Sequence, residues 1–364
     1  MFSPRRRSSF DCATAIAVIA FGVSSVAYAQ AGGNVAGATT TGSSATKVPW
    51  RGSSMSYGHS LSAMTFAPNG DPLPGNATDG DGRPAYLYNP TWAQNLVLLP
   101  EWHFNDLFFA RGRLFISQEF TLSDTTSRRN EVELSDTLLD VGTTGYLEKH
   151  SGIRISGNVR FGFPTSRLSQ MRTQIMTVGP AAVLSRTFPV LSGLTLVYLA
   201  RGTVRFSRFT TGYVNQPSFV SCIDAAMAEA DCARSQNIGS RVPYFDLSHG
   251  PSISFQPHET ISIDATMLWA RQWLYALRSS GVGSEAEASQ LANDSKVRDS
   301  TWFVLSASWQ FSEPVGVALT AFTISSQLNA SGQYQFPLFN RNTVLYLDLT
   351  LNIEAITSKL FNKS

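Results

Sequence analysis

From residue 92 to residue 353, apolar side chains recur at every second position in one long run after another, and the joins between runs alternate between short and long. The stretch GLTLVYLARGTVRFSRF, residues 193 to 209, shows the pattern. Leu194, Leu196, Tyr198, Ala200, Gly202, Val204 and Phe206 share one parity, and Thr195, Arg201, Thr203, Arg205 and Ser207 share the other, with Val197 and Leu199 as exceptions on the second face. A period of two is a strand with one greasy and one mostly wet face. The short joins are Asn105-Asp106, EKHSG (148 to 152), PVLSG (189 to 193), QPHET (256 to 260) and SEPVG (312 to 316), each with tight-hairpin residues. The long joins lie near 67–91, 121–132, 164–172, 209–242, 276–299 and 328–341. A soluble sandwich does not sort its connections so regularly, whereas a barrel crossing a membrane does, with turns on one side and loops on the other.

The fold expected is all-β: a transmembrane antiparallel up-and-down β-barrel. Eleven strands can be counted, at 92–104, 107–120, 134–147, 153–163, 173–188, 194–208, 243–255, 261–275, 300–311, 316–327 and 342–353. A chain that enters and leaves on the same side needs an even number, and SMSYGHSLSAMTF (54 to 66) is the remaining candidate. About twelve strands are therefore expected, with ten and fourteen as neighbouring counts. The lipid-facing parity reads as Leu345, Leu347, Leu349, Leu351 and Ile353; Phe303, Leu305, Ala307, Trp309 and Phe311; Ile261, Ile263, Ala265, Met267 and Trp269.

The N-terminus places such a barrel. Arg5 to Arg7, the apolar Ala13 to Phe21 and Ala27-Tyr28-Ala29 make residues 1–29 a signal peptide. Residues 30–50 are a Gly/Ala/Thr/Ser-rich periplasmic leader, and residues 51–364 form the barrel with its long outer loops, chiefly 67–91, 209–242 and 276–299. Removing Arg5, Arg6, Arg7 and Asp11 from 28 basic and 26 acidic residues leaves 25 of each, so net charge offers nothing to a nucleic acid. Cys222 and Cys232 stay in the exported chain and are read as a disulfide closing a small loop.

The stretches FGFPTSRLS (161 to 169) and LSHGPSISFQPHETISIDATMLW (247 to 269), with the echo VGPAAVLSRTF (178 to 188), resemble the strand-turn-strand units of proteobacterial outer-membrane β-barrel proteins. They are most similar to a loosely defined group of small barrels that includes transporters linked to aromatic-compound degradation. The resemblance implies the bacterial outer membrane as location, with its lipid and the barrel-assembly machinery as partners. One departure stands out: TVLYLDLTLNI is followed by EAITSKLFNKS instead of ending the chain on an aromatic strand residue. The last strand is expected either to run on toward Phe361 or to leave the assembly signal internal.

Inward parity assigns Glu101, Arg111, Arg113, Glu119, Asp136, Asp140, Arg154, Arg160, Arg201, Arg205, Asp246, Asp264 and Asp348 to the lumen. Two readings follow. In one, arginines line one wall and carboxylates the other, and the barrel passes small polar or anionic solutes by diffusion. In the other, these groups pair across the bore and plug it, and the protein is a structural or adhesive barrel acting through its loops. No enzyme is expected. Of His59, His103, His150, His249 and His258, only His249 has strand serines nearby, and no hydrolase-like serine motif surrounds it. GNATDGDG (75 to 82) lacks the terminal Glu of a calcium loop, and no cofactor or metal site is expected.

Overall fold

A computed structural model describes residues 48–66, 91–121, 129–214, 236–275, 296–326, 336–340 and 343–361. The strands are β1 (Ser54–Ser62), β2 (Trp92–Leu99, continued after Pro100 by Glu101–His103) and β3 (Phe108–Glu119). Then come β4 (Thr137–Thr143, flanked by Glu131–Leu134 and Tyr146–Leu147), β5 (Ile153–Phe163), β6 (Gln174–Phe188) and β7 (Gly193–Ser207). The series ends with β8 (Pro243–His258), β9 (Ile261–Leu274), β10 (Val297–Ser312), β11 (Val315–Ser326) and β12 (Thr343–Asn352). Each pairs antiparallel with its neighbours in the chain, and β1 pairs with both β2 and β12, so the sheet closes as a twelve-stranded barrel. The least regular run, 54 to 66, supplies a strand only to Ser62 and then a 3₁₀ turn, Ala63–Phe66. Beyond the long-loop rim, Thr211–Val214 and Gln236–Arg241 pair as a separate ribbon between β7 and β8. The signal peptide, nearly all of the leader and the Cys222–Cys232 loop lie outside the described residues.

The two strand faces sort as a period of two requires. Outward, Ile253, Ile263, Leu305, Leu319, Leu347 and Leu349 are all exposed. Inward, small polar residues bond to one another across adjacent strands: Asn95 Nδ2 donates to Ser60 Oγ at 3.0 Å, Ser252 and Thr266 meet at 2.6 Å, and Ser306 and Thr320 at 2.9 Å. These contacts satisfy groups that would otherwise be buried dry. The short joins are tight turns. At 148 to 152, hydrogen bonds from the Ser151 side chain and from the His150 and Ser151 amides hold the Glu148 carboxyl down at about 2.

Gly58 on β1 shows how closely the seam is packed. A Cβ there would stand 2.1 Å from Asp348 Oδ1 and 2.3 Å from the Leu347 carbonyl oxygen on β12. The second atom is backbone and cannot rotate away. Gly58→Ala is expected to destabilise the barrel by roughly 1–3 kcal/mol through overpacking, read as a lower unfolding midpoint in detergent; an unchanged midpoint would mean the seam has slack.

The chain does not continue as strand toward Phe361. It turns into a helix, α2 (Ile353–Phe361). Asn352 Oδ1 accepts from the Ala355 amide at 3.3 Å, and Glu354 lies in the first turn, where the helix dipole favours an acid. The helix is tied back to the segment ahead of β1. Trp50 Nε1 donates to Thr357 Oγ1 at 3.1 Å, the Gly52 amide to Glu354 Oε2 at 3.1 Å, and the Ile353 amide to the Ser53 carbonyl at 3.1 Å.

Candidate functional site in the barrel lumen

The charged lumen residues fall into three layers along the barrel axis. Nearest the short turns, Glu101 on β2 accepts from Arg111 Nε on β3 and lies 2.7 Å from His103 Nε2. Arg154, Asp264 and Asp348 also face inward in this half, with the Ser262 hydroxyl donating to Asp264 at 3.1 Å.

The second layer is the waist. Asp140 on β4 takes two hydrogen bonds from Arg160 on β5, Nε to Oδ1 and Nη2 to Oδ2, both at 2.7 Å. This fork geometry is the strong form of an Arg–carboxylate contact. Arg113 on β3 and Arg201 on β7 are within electrostatic reach of this pair, Arg201 also of Arg113. All four side chains are buried, Asp140 to 2% exposure. Three buried guanidiniums therefore converge on the Asp140 carboxylate at this level.

The third layer lies toward the long loops. Arg205 on β7 donates to Asp246 on β8, which also accepts from Gln272 Nε2 at 2.7 Å. A short helix, α1 (Arg167–Met171), is capped by Ser166, whose side chain accepts from the Ser169 amide. Asp136 accepts from the Ser166 amide at 3.1 Å and from the Ser169 hydroxyl, which seats α1 on the rim. Glu131 pairs with Arg167, and Arg172, just after α1, sits close to Arg205, Arg298, Asp136 and Asp246. Burial, helped by the cations Arg205 and Arg298, lowers Arg172 well below the usual guanidinium value.

This arrangement corrects one expectation. Arginines and carboxylates do not divide into two opposed walls: they interleave on adjacent strands, as Glu101–Arg111, Asp140–Arg160 and Arg205–Asp246. On the strands from β8 round to β2, which carry no arginine of the predicted set, stand Glu101, Asp246, Asp264 and Asp348, and of these Glu101 and Asp246 reach across to Arg111 and Arg205.

What faces the arginines is apolar. Ala181 and Val183 on β6, Leu199 on β7, Leu268 and Ala270 on β9, Trp302 and Val304 on β10, Phe322 on β11 and Tyr346 on β12 form one buried cluster. β6 and β12 are half a circumference apart, so the cluster spans the bore. Leu268 is 1% exposed and Tyr346 2%, values of a dry core, and Tyr346 comes near Arg113. Above this level a cavity of about 20 Å³, enough for one water, is lined by Ser60, Ala93, Glu119 and Tyr346 among others. Sequence reasoning missed this apolar wall, together with Glu131, Arg167 and Arg172; the available signal was the inward apolar pair Val197 and Leu199.

His249 lies on the outward face. Its Nδ1 is 2.9 Å from the Tyr198 hydroxyl, and its ring lies between those of Tyr198 and Trp269, with centroids 6.2 and 5.8 Å away. Among the described residues no group of three His, Cys, Asp or Glu is arranged to hold a metal.

No protein-family model matches the chain, and no curated protein matches it. Among solved structures it is similar to an outer membrane channel from Pseudomonas putida F1, with 9% identity over 84% of this chain and 96% of the other, at a TM-score of 0.49. It is also similar to the NanC porin, with 10% identity over 82% and 98% at 0.39, and to LpxR from Salmonella typhimurium, with 10% identity over 82% and 99% at 0.36.

Proposed function

We propose that this chain is an outer-membrane barrel that passes small anionic solutes through its lumen, past the waist formed by Arg113, Arg160 and Arg201. The membrane reading is supported by the outward belt of Leu305, Leu319, Leu347 and their neighbours, which in water would be a large exposed apolar surface. The observation that carries the solute reading is the convergence of three buried guanidiniums on one level of the bore. Burying a charge costs several kcal/mol unless it is compensated, and a barrel that needed only a plug is better served by apolar or balanced packing. Guanidiniums gathered at one level of the bore fit an anion that enters and leaves. The opposing wall of Trp302, Phe322, Leu268 and Tyr346 favours an anion with an apolar body, such as an aromatic carboxylate, in keeping with the resemblance to barrels linked to aromatic degradation.

The dry waist supports the second reading, a plugged barrel that acts through its loops. Planar-bilayer recording under a salt gradient separates the two. A conducting, anion-preferring wild type is expected, with Arg113→Ser combined with Arg201→Ser moving the reversal potential toward cation preference, because Glu101, Asp140, Asp246, Asp264 and Asp348 then dominate the lumen. A conducting pair variant with an unmoved reversal potential would remove the arginine waist as selector. A folded protein that stays silent would leave the plugged reading.

A further inference from the structure

On the outward face of β10 to β12, near the long-loop rim, the apolar belt is interrupted by four hydroxyl residues in register: Thr301 opposite Ser325, Thr323 opposite Thr343. Their parity is that of Leu305, Leu319 and Leu347, yet they are buried, at 3%, 2%, 0% and 0% exposure. Part of the cover is the segment Phe336 to Asn340. The Thr323 hydroxyl donates to the Leu338 carbonyl at 3.0 Å and meets Thr343 Oγ1 at 2.7 Å, while the Asn340 amide donates to Thr343 Oγ1 at 2.8 Å. Asn340 Nδ2 in turn donates to the Phe336 carbonyl at 2.9 Å. Because these contacts start from outward-pointing hydroxyls, the segment lies against the outside of the wall and not over the bore.

Its own apolar side chains point away. Phe336 is 61% exposed, Leu338 39% and Phe339 58%. The depth follows from the register. Phe311 marks the belt at the short-turn end, and Thr301 lies ten residues higher on the same strand. At about 3.3 Å per residue and a tilt of about 40°, that is roughly 25 Å along the axis, the height of the apolar band of an outer-membrane barrel.

Resting on the membrane reading above, we infer that the segment 336–340 ahead of β12 supplies the outer aromatic girdle of this sector: Phe336, Leu338 and Phe339 insert among the acyl chains of the outer leaflet and screen a hydroxyl patch that the strands leave in the wall. Elsewhere the rim uses strand residues for the same purpose, as with Trp92 and Phe120, ring centroids 5.1 Å apart, or Phe245 and Trp273, 5.2 Å apart. Aromatic side chains at this level are stabilised by having an apolar body in lipid and an edge near the headgroups.

The test places one environment-sensitive fluorophore at a time, on Phe339→Cys or on Leu347→Cys, in the full chain with Cys12→Ser, Cys222→Ser and Cys232→Ser, refolded into phosphatidylcholine vesicles. Both labels are expected to lose most of their emission to nitroxide-bearing lipids and little to aqueous iodide. Lipid quenching at position 347 with iodide quenching at 339 would overturn the girdle while leaving the membrane barrel intact. A label at 339 reached by neither quencher would show a protein surface over it, such as a second copy, and would overturn the inference too. Iodide quenching at 347 would bring down the membrane reading and the girdle together.

Discussion

Asp140→Asn is expected to cost the folded barrel about 3–5 kcal/mol, the scale for breaking a buried ion pair on one side only. Asparagine keeps the size and one acceptor, so the effect is electrostatic: Arg113, Arg160 and Arg201 are left with their mutual repulsion and without the carboxylate they share. The measurement is the unfolding midpoint in detergent, followed by the shift in electrophoretic mobility between folded and heated protein. Adding Arg160→Gln to Asp140→Asn is expected to recover part of the loss, since it removes the cation that lost its counter-charge and one of its two 2.7 Å bonds. An Asp140→Asn protein as stable as the wild type would mean that the waist cations are solvated, and the account of a dry waist would fall.

Trp302→Ala, alone or with Tyr346→Ala, is expected to raise single-channel conductance several-fold. Both side chains are inward, buried and part of the cluster that crosses the bore, on strands that carry none of the waist arginines. Truncation leaves the backbone ladder of β10 and β12 untouched, so the barrel keeps its closure while the waist widens. The stability cost is about 3–5 kcal/mol for a large aromatic removed from a packed site, so conductance rises as the unfolding midpoint falls. Unaltered conductance in a destabilised variant would locate the barrier elsewhere, in the layer of Arg172, Arg205 and Asp246 near the loops.

The barrel was legible in the sequence because two independent signals coincide in it. Strand period two decides which residues point out, and turn length decides which end they are at; where both are strong, as at Ile153–Phe163 or the Asn105-Asp106 turn, the boundaries agree to within a residue or two. The helix after Asn352 escaped because Leu345 to Ile353 alternate without a break, and the stop signal was an Asn cap with Glu354 two residues on instead of a loss of periodicity. Parity brought the charged lumen residues to one face but was silent on which of them pair, since Asp140 meets Arg160 through a register that only strand pairing decides. The apolar wall was harder still. Leu268, Trp302 and Phe322 are ordinary strand residues taken one at a time, and their inward clustering depends on six strands meeting across a bore. At Thr323 and Thr343 the outward hydroxyls did break the apolar parity, a clue that something else covers them.

The knot between the chain's two described ends has a meaning for assembly. Trp50 reaches Thr357 and Gly52 reaches Glu354 across 307 and 302 positions of sequence. No fragment or half-zipped intermediate can form these bonds, because they wait for β12 to find β1. They act as an end-of-line mark. Sealing the cylinder and docking the C-terminal helix are thus a single event, since the partners of both lie on the two edges that closure brings together.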